Sequence, residues 1–230
     1  MILCTNDDGL GSLGLDTLTK VCHEFDDVKV MAPDRERSLC SHSLDPSGEL
    51  EIEEVGPGVM SLSGTPADCT RIALCHFNET PSLVCSGINH GGNLGADALY
   101  SGTMSAAREA YHRGVSAISF SLVLESRVEP DWSCVEMKAK DVLELWKAEA
   151  SNEPILWNVN FPSRVSEASL MVRCQFDSTP MTLDYERTQA GYRYVGNYHN
   201  RPRKEKGDVA RCFGGEITLV DLSGGGESFL

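Results

Sequence analysis

The sequence predicts a three-layer, Rossmann-like α/β fold: a mostly parallel sheet with helices on both faces, extended by a β-rich C-terminal part. Three observations carry that expectation. In the first half of the chain short apolar runs alternate with stretches of helical spacing. The apolar runs lead into polar loops. From about Glu125 the rhythm changes, to one longer helix followed by short strand-like runs.

In chain order, Ile2 to Thr5 is a strand-like run that leads into Asn6-Asp7-Asp8-Gly9. Leu15 to Phe25 has helical spacing, with Leu15, Leu18, Val21 and Cys22 on one side. Val28 to Ala32 is a strand stopped by Pro33. Ala67 to Phe77 reads as a helix with Pro66 suited to its first turn. Leu83 to Cys85 and Ala117 to Phe120 are further short strands, and Thr103 to Tyr111 is a helix between them. Ser133 to Ala150 is amphipathic through Val135, Val142, Leu143 and Trp146, and Ile155 to Asn160 returns to a strand. A soft boundary near Leu124 separates a catalytic α/β core, residues 1–124, from residues 125–230. The latter hold the helix, β-like runs and an arm-like hairpin in the basic, Tyr-rich YRYVGNYHNRPRKEKGD, all packed on the core.

Composition narrows the function. A chain of 230 residues, 41% apolar and 23% charged, can bury a full core. No apolar run is long enough to span a bilayer and no leader-like segment precedes the first strand, so a cytoplasmic protein without membrane contact is expected. Nine cysteines, scattered and without a C-x-x-C, point to buried thiols in a reducing compartment. Twenty Lys and Arg against 34 Asp and Glu give a net charge of −14, which repels duplex nucleic acid. A small phosphate remains compatible with that charge if a cation serves the site.

In an open parallel sheet, ligands lie outside the carboxyl ends of the strands. The loops there are NDDG, APDRERSLCSHS and SGINHGGNLGADALYSGT. Gly9 to Gly14, GLGSLG, fits the G-x-G-x-x-G of a dinucleotide turn, with the acidic Asp34 about twenty positions later. Asp7 and Asp8, however, stand where a pyrophosphate would sit, and each repulsion costs on the order of a few kcal/mol in a partly buried site. Adjacent carboxylates at a strand end suit a divalent cation better, with the glycines left to shape the turn. A non-catalytic dinucleotide- or nucleotide-binding module using GLGSLG is the alternative, and a plain loop cap is what an isolated Asp pair would suggest.

The order TNDDG, APDRERS with SHS, SGTPADC, SGIN-x-G-x-NLG, LYSGT with AAREA, and NVNFP closely resembles the SurE family, the survival-protein-E phosphatases that act as 5′- and 3′-nucleotidases and need a divalent metal. The match is dense from Ile2 to about Leu122 and thins after Pro162. The resemblance implies a phosphomonoesterase that converts nucleoside 5′- and 3′-monophosphates to nucleoside and phosphate. It also implies one metal ion per subunit, held by Asp7, Asp8, Ser38 and Asn89. These donors are all hard oxygens, which favour Mg²⁺ or Mn²⁺, or Ca²⁺ as the bound species, over a zinc site of His and Cys.

Asp7 and Asp8 are then also the catalytic pair, one accepting the proton of an attacking water or attacking phosphorus itself; the sequence leaves both open. Asn93 and Ser101-Gly102-Thr103, at the mouth of a predicted helix, are candidate phosphate donors, with a plain helix cap as the other reading of SGT. His42 is a candidate general acid for the leaving alkoxide, or a loop histidine with no role. His90 is expected at the rim. The basic loop Arg193 to Lys206 reads as an arm reaching a second subunit or as a flap over the site; with Tyr192, Tyr194 and Tyr198 as anchors, the arm makes a homodimer or higher homo-oligomer.

Overall fold

The computed structural model describes residues 1–46, 48–125, 128–149 and 151–224. Its strands are β1 (Ile2–Thr5), β2 (Val28–Pro33), β3 (Ile52–Gly56), β4 (Val59–Leu62), β5 (Leu83–Asn89), β6 (Ala117–Leu122), β7 (Leu156–Phe161), β8 (Met171–Arg173), β9 (Tyr185–Arg187), β10 (Tyr192–Tyr194) and β11 (Ile217–Asp221). The helices are α1 (Leu13–Cys22), α2 (Pro66–His76), α3 (Gly102–His112), α4 (Trp132–Ala148) and α5 (Asp208–Phe213). Among the described residues, nine strands form one sheet in the order β3-β4-β2-β1-β5-β6-β7-β11-β8. From β4 across to β7 every neighbour is parallel. β3 on β4 and β11 on β7 are antiparallel. This is the α/β class that the alternation of strand and helix predicts.

The strands divide their apolar residues between two helical layers by simple alternation. Ile2, Cys4, Leu83, Cys85, Ile118 and Phe120 pack with Leu15, Leu18 and Val21 of α1 and Val135, Val142 and Leu143 of α4. Leu3, Val84 and Ala117 pack with Cys69 and Ala73 of α2 and Met104, Ala107 and Ala110 of α3. Each large side chain so buried contributes roughly 1.5–3 kcal/mol. Helix starts are fixed locally: Thr65 and Asp68 form a reciprocal capping box with Pro66 in the first turn of α2, and Asp131 caps α4.

Two segments differ from the sequence reading. The β3–β4 hairpin was not anticipated, because β3 is exposed or half-buried along its whole length and β4 has only four residues, too few for a clear alternation. The basic loop is divided. The β9–β10 ribbon stands outside the main sheet with Tyr185, Tyr192 and Tyr194 exposed, whereas Tyr198 and Arg201 turn inward. Arg201 is buried, in an ion pair with Asp97, so this part of the loop takes its electrostatic partner from its own chain.

Candidate active site

The chain leaves β1 towards β2 and leaves β5 towards β6, so the loops after these adjacent strands part and open a crevice between them. Asn6-Asp7-Asp8 follows β1, Asn89 ends β5, and α3 begins beside them. A cavity of about 400 Å³ lies there, lined by Asp7, Ser38, Asn89, Asn93, Ser101 and Tyr198 among others. Sequence-predicted site residues from three separate loops therefore meet. A larger cavity of about 640 Å³ lies past Tyr198, beside Arg164, His199 and Arg203; its carboxylate, Glu125, is already paired with Arg164 at 3.4 Å, so size alone does not mark the site.

The glycines of GLGSLG are used by the backbone. Gly9 and Gly11 have φ of +93° and +84°, which lets the loop double back. A Cβ on Gly14 would stand 1.9 Å from the Ile88 carbonyl oxygen, so glycine is what allows α1 to lie against β5. The space at the start of α1 is lined by Asp8, Glu36 and Glu129, an acidic surround for any pyrophosphate.

Asp7 is buried. Its Oδ1 accepts a 2.6 Å hydrogen bond from Thr103 Oγ1, and a Cβ on Gly102 would stand 2.8 Å from its Oδ2, so the start of α3 presses directly on this carboxylate. Burial pushes the Asp7 carboxyl up to about 6; the Thr103 hydrogen bond opposes that and the Asp8 charge adds to it. Asp8 is half-buried and accepts the His90 backbone N–H at 3.0 Å, and burial raises its carboxyl as well. No Lys or Arg among the described residues acts on either group. Asn6, also buried, spends its amide hydrogens on the Gly9 carbonyl and Ser12 Oγ, leaving Oδ1 without a partner.

Asn89 Nδ2 donates to the Gly91 carbonyl at 2.8 Å, which leaves Oδ1 as its donor atom towards a cation. Ser38 is exposed and donates to Glu36 Oε1 at 2.7 Å, so its oxygen lone pairs stay available. Two carboxylates short of positive charge, a hydroxyl and an amide carbonyl make a donor set that fits a hard divalent cation. Among the described residues no three His, Cys, Asp or Glu side chains gather as a metal cluster.

Behind Asp7 stands a buried polar network. Asn93 Nδ2 donates to Thr103 Oγ1 at 3.2 Å and to Ser121 Oγ at 2.8 Å, and its backbone N–H donates to Asn160 Oδ1 at 2.8 Å. Asn158 Nδ2 reaches the Asn93 carbonyl at 2.8 Å, so the asparagines of NVNFP hold the residue that holds Thr103. Both hydrogens of the Asn93 amide and the Thr103 hydroxyl are thus committed within the protein. Ser101 is the N-cap of α3: its Oγ accepts the Met104 N–H at 2.9 Å and keeps its own hydrogen.

His42 is not brought to this cavity. Its Nε2 lies 2.9 Å from Glu109 Oε2, towards the far end of α3, and His42 is not among the residues that line the cavity. His90 lines the cavity edge, its ring 6.2 Å from Trp132. Asp97, Tyr100, Met181 and Tyr198 line the cavity as well and were not predicted as site residues. Tyr198 Oη donates to Asp97 Oδ2 at 2.9 Å, and Arg201 holds the same carboxylate and the Leu94 carbonyl, 3.2 Å away. Asp97 and Arg201 are about a hundred positions apart, and no local pattern connects them. Tyr100 and Met181 line both this cavity and a neighbouring one of about 480 Å³ that includes Leu99, Pro180 and Tyr194.

Comparison with known proteins follows the same loops. A family model described as survival protein SurE matches residues 2–182. The 5′-nucleotidase SurE of Neisseria meningitidis (serogroup C, serotype 2a) is 39% identical over 229 residues, covering 96% of this chain and 91% of that protein. Its counterpart from Neisseria gonorrhoeae is 38% identical over 231 residues, with the same coverage of 96% and 91%. The crystal structure of the SurE protein from Aquifex aeolicus superimposes with a TM-score of 0.83 at 27% identity, over 96% of this chain and 92% of that one.

Proposed function

The chain belongs to the survival protein SurE family, and from that premise we propose that it is a divalent-metal-dependent phosphomonoesterase that hydrolyses nucleoside 5′- and 3′-monophosphates. The observation that carries the reading is the Asp7–Asp8 pair, set at the crevice with no Lys or Arg among the described residues acting on it, and with Asp7 lining the same cavity as Ser38 and Asn89.

Asp7, Asp8, Ser38 and Asn89 would hold a Mg²⁺ or Mn²⁺ ion, which would supply positive charge for the phosphoryl oxygens and Lewis acidity for water. The chain's own residues do the rest. Thr103, held by Asn93, fixes Asp7 Oδ1, and the His90 N–H fixes Asp8 Oδ2. On this reading Asp8, the less buried of the two, takes the proton of an attacking water. Ser101, at the positive end of α3, offers its hydroxyl hydrogen to a phosphate oxygen. Tyr100 and Met181 lead outward into an apolar, aromatic-edged groove that suits a planar base, which supports a nucleoside rather than a simple sugar as the leaving group.

The test is phosphate release from 5′-AMP, 3′-AMP and p-nitrophenyl phosphate, before and after EDTA, with Mg²⁺ or Mn²⁺ restored. Release that survives EDTA sinks the metal role, and NAD(P) binding indifferent to EDTA supports the dinucleotide alternative. The acidic surround of the α1 start argues against that alternative.

The same reading includes a homodimer in the cytoplasm. Tyr185, Tyr192, Tyr194, Leu183 and Val195 are exposed on or beside a two-stranded ribbon, which has no core of its own to bury them. All nine cysteines are free thiols, as a reducing compartment would keep them. No helix among the described residues is long and apolar enough to cross a membrane.

A further inference from the structure

Ser38 has little of its own to hold it. Its side chain is exposed and, among the described residues, bonded only to Glu36 on the same loop, so the backbone that carries it decides where its oxygen lies. That backbone is anchored on both sides. Before Ser38, the Arg37 N–H donates to the Asp7 carbonyl at 2.7 Å. After it, Leu39 and Ser41 adopt left-handed φ values of +56° and +53°, a conformation that non-glycine residues keep only where their surroundings enforce it.

The enforcement comes from the turn that leads into α3 and from the second half of α3. Ser41 N–H donates to the Tyr100 carbonyl at 3.0 Å and Ser41 Oγ to the Leu99 carbonyl at 2.9 Å. His42 Nε2 then meets Glu109 Oε2 at 2.9 Å. Glu109 is a fixed acceptor, because Arg113 at 2.9 Å and Arg71 at 3.4 Å hold its other oxygen. His42 therefore ties the loop to the same helix whose first turn, through Thr103, sets Asp7.

We propose that His42 is a positioning residue: by clasping Glu109 it locks the Ser38 loop to α3 and pre-sets Ser38 beside Asp7, so that cation binding has less chain to order. The inference rests on the metal reading above. It also replaces the general-acid role with one that makes a different kinetic prediction.

The experiment compares full-length wild type, His42→Ala and His42→Gln, all stripped with EDTA. Mn²⁺ affinity is read by electron paramagnetic resonance, and deuterium uptake over residues 37–43 is followed in the metal-free proteins. His42→Ala should weaken Mn²⁺ binding about tenfold, the low end for losing a group that orients a metal ligand, and should speed exchange in that segment. His42→Gln, whose amide can still donate to Glu109, should restore both. At saturating Mn²⁺, kcat should fall less than the affinity does, and equally for AMP and p-nitrophenyl phosphate.

Wild type that binds no Mn²⁺ overturns the metal reading and this inference together. Wild type that binds, with His42→Ala binding equally and exchanging no faster, overturns the inference alone. A kcat loss at saturating metal that is much larger for AMP, the poorer leaving group, makes His42 a general acid and likewise overturns the positioning role. If His42→Ala proves unfolded by circular dichroism, His42→Gln decides: the inference requires wild-type affinity and exchange from it.

Discussion

Helix α3 touches a carboxylate cluster at each end, and the two are opposites. At its start, Thr103 gives Asp7 a single hydroxyl hydrogen bond, and the nearest charge is another carboxylate, Asp8. Towards its other end, Glu109 is equally shielded from solvent but is held by His42, Arg71 and Arg113. Burial alone would raise the Glu109 carboxyl; hydrogen bonds from His42 and Arg113, and their charge, outweigh it and leave the group below the usual glutamate value. A buried carboxylate with three basic partners is a structural clamp. A pair that no Lys or Arg among the described residues holds keeps its charge in reserve for a ligand.

The largest effect that would break this contrast is in turnover. Asp8→Asn should lower metal-dependent phosphate release by about 10³-fold or more, the scale of losing an electrostatic group aimed at developing charge, and leave the fold intact. Near-full activity at ordinary metal levels would place the reaction elsewhere. Glu109→Ala should do the reverse. It removes the clamp's shared acceptor, but Arg71 and Arg113 are 41% and 47% exposed and can turn to solvent, so the cost is about 1 kcal/mol, roughly 2–4 °C of melting temperature in a domain of this size. A Glu109→Ala protein that melts with the wild type would mean that the clamp is ornamental.

A smaller effect tests the substrate end of the Asp7 region. Tyr100→Ala should raise KM for AMP about tenfold, the worth of one stacked base, and leave p-nitrophenyl phosphate nearly unchanged. An equal change for both substrates would assign Tyr100 to the scaffold of the site rather than to the base.

The two clusters were not equally legible. Asp7, Asp8, Ser38 and Asn89 sit in loops at the carboxyl ends of strands that hydrophobic patterning reveals, and parallel topology brings such loops together without any knowledge of side chains. Asn158 and Asn160 were visible only as a motif; that they hold Asn93 depends on the register of β7 in the sheet. The contact of His42 was not legible because its partner, Glu109, is 67 residues away and sits in a stretch that sequence alone reads only as helix. Arg201 and Tyr198 were read with the basic loop, as part of an arm to a second subunit or a flap over the site, and only packing reveals that both close on Asp97. Local order was readable, and long-range pairing of polar groups was not.

The finest test of the contrast lies in the sign of its pH dependence, read in metal-free protein. The Asp7 carboxyl rises from 3.8 to about 6 on folding, so its ionised form opposes folding. That penalty is complete above about pH 6 and is relieved as pH falls towards 3.8. Glu109 moves the other way. Its stabilising contribution is complete above the ordinary value of 4.5 and is lost as pH falls through its lower folded value. Melting curves in EDTA should therefore show wild type gaining about 1 kcal/mol on Asp7→Asn between pH 7 and pH 5, roughly 2–4 °C, as the raised carboxyl takes up its proton. Below pH 4.5 the advantage of wild type over Glu109→Gln should shrink instead. Added Mn²⁺ should erase the first difference by stabilising wild type at pH 7, because a ligand that binds only the folded site adds its own binding free energy. It should leave the second difference where it was, since no ligand has a place among cations that already hold their carboxylate. Two parallel curves for wild type and Asp7→Asn would show that Asp7 folds without strain and that nothing is held in reserve for a cation.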